Sequence, residues 1–206
     1  MTDIPAQLGF DALLTDADTE NRNRVFARET AHLPATLDEA VPCFRGLIED
    51  NHAAMLAANE HETRRLHEEA RRLASKVNGG NPGILADEQA PGSVLASETA
   101  AKPGAVPLWG QTGDFVVEVE GMAVRVEMKG LFGIGSGWGF WPGFSAHAVD
   151  LDKPFLSGTG YRSFLGIHAD PRPGMTPDTF AVWIIETYVA RELRSALVPI
   201  AERYKR

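Results

Sequence analysis

The sequence predicts an α+β protein: an N-terminal helical hairpin or long helix, a linker, and a small antiparallel sheet packed by a C-terminal helix. Three patterns predict this class. Apolar residues recur at helical spacing within the first 78 residues, alternate with polar residues over 114–129, and cover most of the way round a helical pattern over 180–197. Helical and strand patterns that occupy separate parts of a chain are typical of α+β folds.

The N-terminal part contains two helical patterns. The first runs from Asp16 to His32 and ends before Pro34, because the residue before a proline is disfavoured in a helix. The second begins at Thr36, which starts a capping-box motif, and its apolar pattern continues to Val77, which gives a helix of up to about 35 residues after Pro42. Pro42 requires either a kink or a new helix start.

A long amphipathic helix needs a second apolar surface. The helix at 16–32 supplies one if it folds back as a hairpin. A second copy of the chain supplies another, through a short coiled coil and a homodimer over residues 42–77. The sequence leaves both arrangements open.

Charge is unevenly distributed along the chain. The net charge is -8, and the first 78 residues carry 14 acidic against 9 basic residues. Direct binding to a nucleic-acid backbone requires clustered Lys and Arg, so we expect no direct nucleic-acid partner. An acidic face suits a basic protein partner, including one that itself binds DNA.

Residues 79–113 are rich in Gly, Pro, Ala and Ser and show no hydrophobic periodicity. Such composition is typical of a linker. The sequence therefore predicts three parts: a helical arm over 1–78, a linker over 79–113 and an α+β domain over 114–206.

The C-terminal part carries the clearest strand pattern. Apolar and polar residues alternate over 114–129, which predicts a β-hairpin that turns near Gly121. Further strands are predicted around Phe144–Leu151 and Tyr161–His168. Thr176 followed by Pro177 predicts the start of a helix, which we expect to continue as far as Pro199.

The segment GLFGIGSGWGFWPGF, residues 130–144, alternates glycine with large apolar side chains. It suits either a folded corner whose rings fill a core or an aromatic groove for a partner. If the protein has a binding surface, we expect it where this tract meets the Tyr-Arg pair that follows a Gly-rich turn. The candidate partner-binding residues are Trp138, Phe140, Trp141, Phe144, Tyr161 and Arg162.

Imidazole and carboxylate groups recur in HAVDLD and HAD and suggest an alternative, a metal-dependent enzyme. The candidate ligands of a divalent metal are His147, Asp150, His168 and Asp170. Geometry argues partly against this site, because His147 and Asp150 point to opposite faces of a regular strand. Apart from this possible metal, we expect no cofactor.

No window is apolar enough for a membrane span, and the N-terminal sequence lacks the pattern of a secretory signal. The single cysteine, Cys43, fits a reducing compartment. We therefore expect a cytoplasmic protein with no membrane partner.

The string GFWPGFSAHAVDLDKPFLSGTGYRSFLG resembles uncharacterised proteins encoded on proteobacterial plasmids and integrative elements. The resemblance covers roughly the last hundred residues and implies no catalytic residue. By analogy with other accessory proteins of mobile elements, it implies a non-enzymatic protein that binds a protein partner, for example host restriction or CRISPR machinery. A self-assembling structural protein, joined through the N-terminal helix, is the remaining alternative.

Overall fold

The computed structural model describes residues 18–133, 143–165 and 172–205. These residues form an α+β fold, as predicted. The helices are α1 (18–29), α2 (Leu37–Leu56), α3 (Glu60–Val77), α4 (Pro91–Glu98) and α5 (Pro177–Arg191). The strands are β1 (Thr112–Val119), β2 (Met122–Lys129), β3 (Phe144–Ala148) and β4 (Tyr161–Phe164). Within the described ranges, no helix combines the length and apolar character that crossing a bilayer requires.

The single long helix predicted up to Val77 is interrupted, and α2 and α3 pack together as a hairpin. Ala58 adopts a positive φ of 51°, and the Asn59 side chain then caps α3 by accepting a hydrogen bond from the Glu62 N–H at 3.1 Å. A left-handed residue followed by an asparagine N-cap ends one helix and starts the next. Pro42 lies inside α2 and does not end it.

Residues 79–113 differ from the structureless linker that their composition predicts. They include α4, and Leu95 and Trp109 within them are buried. Gly92 allows this segment to fold tightly, because its N–H donates to the Ile84 carbonyl at 2.8 Å and a Cβ at this position would lie 2.7 Å from that oxygen. The division of the chain into three parts stays a prediction.

The sheet has the order β1-β2-β3-β4, and all neighbouring strands are antiparallel. The predicted hairpin is confirmed: Val119 pairs with Met122 around a two-residue turn. Glu120 and Gly121 both have positive φ, 51° and 74°, as a type I′ turn requires.

Helix α5 starts as predicted, with Pro177 in its first turn and Thr176 in a capping box with Thr179. It ends at Arg191, well before Pro199. Arg194 and Ser195 have positive φ, and the Ser195 N–H returns to the Val189 carbonyl at 2.9 Å. This left-handed pair, rather than the proline, turns the chain out of the helix.

Two apolar clusters form the core. One lies between the inner face of the sheet and α5, and the other lies among α2, α3 and α4. They meet at Trp109, which joins the sheet cluster and makes an edge contact with Phe180 at 5.5 Å. Leu131, directly after β2, is buried in the helical cluster. The helical arm is therefore packed against the sheet.

Candidate functional site

The two faces of the sheet differ sharply. The inner face is buried against α5, and its residues include Phe115, Val117 and Val126. The outer face carries two rows of paired residues that cross all four strands. In strand order, one row is Val116, Arg125, His147 and Tyr161, and the other is Asp114, Glu127, Ser145 and Ser163.

Exposed apolar side chains concentrate at this outer face. Val116 is 53% exposed and Tyr161 is 45% exposed, at opposite ends of the first row. Val149, also 53% exposed, continues the β2–β3 ladder by donating its N–H to the Ala123 carbonyl at 3.2 Å. Leu165 directly follows β4 and is 47% exposed. Four of the eight large exposed apolar side chains in the described residues thus lie on or beside one face.

Polar side chains fill the centre of the same face. The Lys129 ammonium donates to the Glu127 carboxylate at 2.5 Å, and His147 Nε2 lies 3.4 Å from the other oxygen of that carboxylate. Ser145 Oγ and the Tyr161 hydroxyl are 3.2 Å apart, and the rings of His147 and Tyr161 meet edge to face at 5.0 Å. The hydrogen bond from Lys129 is the main reason that the pKa of Glu127 is lowered, and His147 contributes less.

Only some of the aromatic residues predicted to bind a partner lie within the described residues. Trp138, Phe140 and Trp141 lie outside the described residues. Phe144 is only 1% exposed and packs on Phe164 with ring centroids 4.9 Å apart, so it belongs to the core.

Tyr161 and Arg162 point to opposite faces of β4. Tyr161 pairs with His147 on the outer face, whereas Arg162 pairs with the buried Ala146. The Arg162 guanidinium lies 4.6 Å from the ring centre of Tyr188 on α5. Tyr161 and Arg162 therefore lie on opposite faces of β4, because successive strand residues alternate between faces. Their role in partner binding stays a prediction.

The structure describes two of the four predicted metal ligands. His147 is directed toward Glu127, as given above. The Asp150 carboxylate accepts the Asp152 N–H at 3.0 Å and lies 3.6 Å from the Lys153 ammonium, as expected of a turn aspartate. His168 and Asp170 lie outside the described residues. Within residues 18–133, 143–165 and 172–205, no three His, Cys, Asp or Glu side chains are grouped to hold a metal.

Cys43 lies half-buried beside the helical cluster. Burial raises the pKa of its thiol, and the nearby Glu69 carboxylate raises it further. Because the thiolate is the reactive form of cysteine, this environment favours an inert, structural thiol.

Sequence reasoning missed the outer face as a unit, although the signal was present. The polar half of the 114–129 alternation contains Val116, an apolar residue where a charged one is expected. Cross-strand register, which joins Val116 to Tyr161, is not readable from one sequence without knowing which strands pair.

Comparison with known proteins bears on the same region. Residues 112–197, which include all four strands and α5, match the family model of the KlcB third domain. This part of the chain is similar to the third domain of KlcB. A KlcB protein of Escherichia coli is 37% identical over 207 residues, which cover 96% of this chain and 45% of that protein. A second Escherichia coli KlcB is 32% identical over 191 residues, which cover 84% of this chain and 40% of that protein.

The likeness to KlcB therefore extends beyond the sheet and α5 into the N-terminal helices. The chain spans less than half the length of the KlcB proteins it matches. No solved structure shows a significant match to the chain.

Proposed function

We propose that this chain is a non-enzymatic accessory protein that binds a protein partner through the outer face of its sheet. The observation that carries the proposal is the concentration of exposed apolar side chains on that face. Val116, Val149 and Tyr161 stand around a centre of hydrogen-bonded polar groups. Exposed apolar side chains, tyrosine among them, occur together with polar groups at protein–protein interfaces.

The size of the face indicates the kind of interface. Four strands about 4.8 Å apart, the longest of them eight residues, present on the order of 400 Å². A standard interface buries about 800 Å² on each partner. A stable complex therefore needs contacts beyond the sheet, and contact with the sheet alone would be transient.

The proposal also specifies the class of protein partner. The net charge of -8 favours a basic protein over nucleic acid itself. Restriction and CRISPR complexes carry basic DNA-binding surfaces, and by analogy with other mobile-element factors we propose them as targets. This proposal predicts that expression of the chain raises the transformation efficiency of unmodified plasmid DNA in a restriction-proficient host and not in a restriction-deficient one.

The metal-dependent enzyme remains the alternative, because His168 and Asp170 lie outside the described residues. Metal analysis of the purified chain separates the two functions. Stoichiometric zinc, iron or manganese that is lost in a His168→Ala variant would replace the binding proposal. Self-association through residues 42–77 is tested by the molar mass of the chain in solution, compared with a chain that lacks residues 1–78.

Site-specific photo-cross-linking in bacterial cells tests the proposed surface. A photoreactive amino acid is placed at Val116 or Val149 on the outer face, and at Val106, which is 45% exposed but lies before β1, as the matched control. We expect one discrete protein adduct from the two outer-face positions and none from Val106. Adducts of equal yield from all three positions, or none from any, would contradict the proposed surface.

A further inference from the structure

The free edge of β1 offers unpaired backbone groups. In a two-residue hairpin, the residues that flank the turn exchange hydrogen bonds, so Val119 and alternate residues before it bond to β2. The N–H and C=O groups of Asp114, Val116 and Glu118 consequently point away from the sheet. The Thr112 carbonyl belongs to the same set and accepts the Ala101 N–H at 2.8 Å, which shows that this edge takes hydrogen bonds from outside.

Among the described residues, the hydrogen bond between Ala101 and Thr112 is not followed by others along the edge of β1. In the part of the chain that the structure describes, no backbone group from another segment bonds to Asp114, Val116 or Glu118. An exposed edge of this kind is a template for an added strand.

A groove of about 360 Å³ lies along this edge, between β1 and α5. Val117, Val182 and Trp183 form its apolar part. All the lining residues that the structure describes belong to these two elements, so an added strand at the edge of β1 would place alternate side chains into the groove.

The rest of the groove is acidic. Glu118, Asp178 and Glu186 line it. Among residues 18–133, 143–165 and 172–205, neither Glu118 nor Glu186 forms an ion pair. The Arg172 guanidinium already lies 5.2 Å from the ring centre of Trp183, which shows that this ring accommodates a cation.

We propose that the β1 edge and its groove bind an extended basic segment of a protein partner as a fifth strand of the sheet. The backbone of the segment pairs with Asp114, Val116 and Glu118. Its apolar side chains enter between Val117 and Trp183, and its lysine or arginine side chains, which alternate to the opposite face, meet the unpaired Glu118 carboxylate. This site shares Val116 with the outer-face surface but uses its backbone rather than its side chain, and it does not require the outer face to bind anything.

A short acetylated, amidated peptide that alternates lysine with valine tests the site by fluorescence anisotropy with the full chain. Val116→Pro removes the outward N–H but no β1–β2 hydrogen bond, and proline is tolerated at such edge positions. We expect it to weaken binding by about tenfold or more, while the matched control Val116→Thr stays within about threefold. The same peptide with alternate N-methyl groups keeps its charge and side chains but cannot pair, and we expect no binding.

Three results would overturn the proposal: no binding of the peptide, equal binding of the N-methylated peptide, or equal binding by a folded Val116→Pro variant. If Val116→Pro does not fold, the N-methylated peptide decides. A dimer that dissociates in Val116→Pro, without peptide binding, would assign the edge to a second copy instead. Val149→Ser on the outer face should leave peptide binding unchanged, so failure here and failure of the outer-face proposal are distinguishable.

Discussion

Asn51 donates a hydrogen bond from its Nδ2 to the backbone carbonyl of Trp109, at 2.9 Å and across 58 positions of sequence. Trp109 also donates its indole N–H to the Met175 carbonyl at 2.8 Å, and the Gly174 N–H donates to the Leu56 carbonyl at 2.7 Å. These bonds tie α2 to the segment before β1 and to the start of α5. The helical arm thereby supports the core on which the sheet rests.

Asn51→Leu should destabilise the whole chain. Asn51 is buried, and leucine, which has the same branching and number of side-chain heavy atoms but no donor, would leave the Trp109 carbonyl buried without a donor. An unpaired buried carbonyl costs about 1–3 kcal/mol. Urea unfolding measures the loss, with Asn23→Ala on the exposed face of α1 as the control. Equal stability of the two variants would show that the bond contributes nothing.

His52 should make stability depend on pH. Its Nδ1 accepts the Trp109 N–H at 3.2 Å, and burial lowers its pKa below the ordinary value of 6.5. The folded state therefore binds a proton less readily than the unfolded state, so stability is full above pH 6.5 and falls as the pH drops below it.

His52→Asn tests this dependence, since its side-chain oxygen can replace Nδ1 as an acceptor but does not titrate. We expect a smaller fall in the free energy of unfolding below pH 6.5 than in the unaltered chain. His61→Gln, at an exposed position, serves as the control. If both variants reproduce the original pH profile, His52 is not the source.

Glu127 should titrate below the ordinary glutamate pKa of 4.5, mainly because of its hydrogen bond from Lys129. Lys129→Met should raise that pKa toward 4.5, and His147→Asn should raise it less. Carboxyl ¹³C NMR titration measures both. Because the folded pKa is lowered, the stabilisation is present above pH 4.5 and is lost as the pH falls further. A Glu127 pKa that does not respond to Lys129→Met contradicts this ordering.

Glu120→Asn should stabilise the β1–β2 turn. Glu120 has a φ of 51°, which costs energy for most side chains, and Asn-Gly is the preferred type I′ pair. We expect a gain of about 0.5–1 kcal/mol in thermal or urea unfolding. Gly121→Ala should lower the free energy of unfolding by about 1 kcal/mol, because φ is 74° and this conformation is strained for alanine. A Cβ at this position would meet no atom within 4 Å, so the loss would come from the backbone conformation. The opposite sign for either variant would be inconsistent with this turn.

The sequence was most informative where periodicity and turn residues agreed. The hairpin over 114–129 and the start of α5 at Thr176 follow from alternation and capping, which are local properties. The break at Ala58 was harder to predict, because no glycine or proline marks it and Asn59 alone signals a cap. Helix α4 is short and is held by tertiary contacts of Gly92 and Leu95, so its composition resembled a linker.

The candidate site was less predictable than the fold. Tyr161 was found because tyrosine after a Gly-rich turn is a common anchor, but its neighbours on the outer face depend on strand pairing. Val116 lies on β1 and Val149 directly follows β3, and only the order β1-β2-β3-β4 places them on one face. The strand order also leaves β1 with a free edge. Residue types alone do not predict which strand lies at the edge of a sheet.

The binding role of the outer face is tested most directly by the affinity of the cross-linked partner for surface variants. The double variant Val116→Thr with Val149→Ser reduces the apolar outer face, and Val25→Ser with Val106→Thr makes matched changes at exposed positions elsewhere. We predict that the outer-face variant binds about tenfold weaker or more while the control is unchanged. Equal affinities of the two variants would contradict the account.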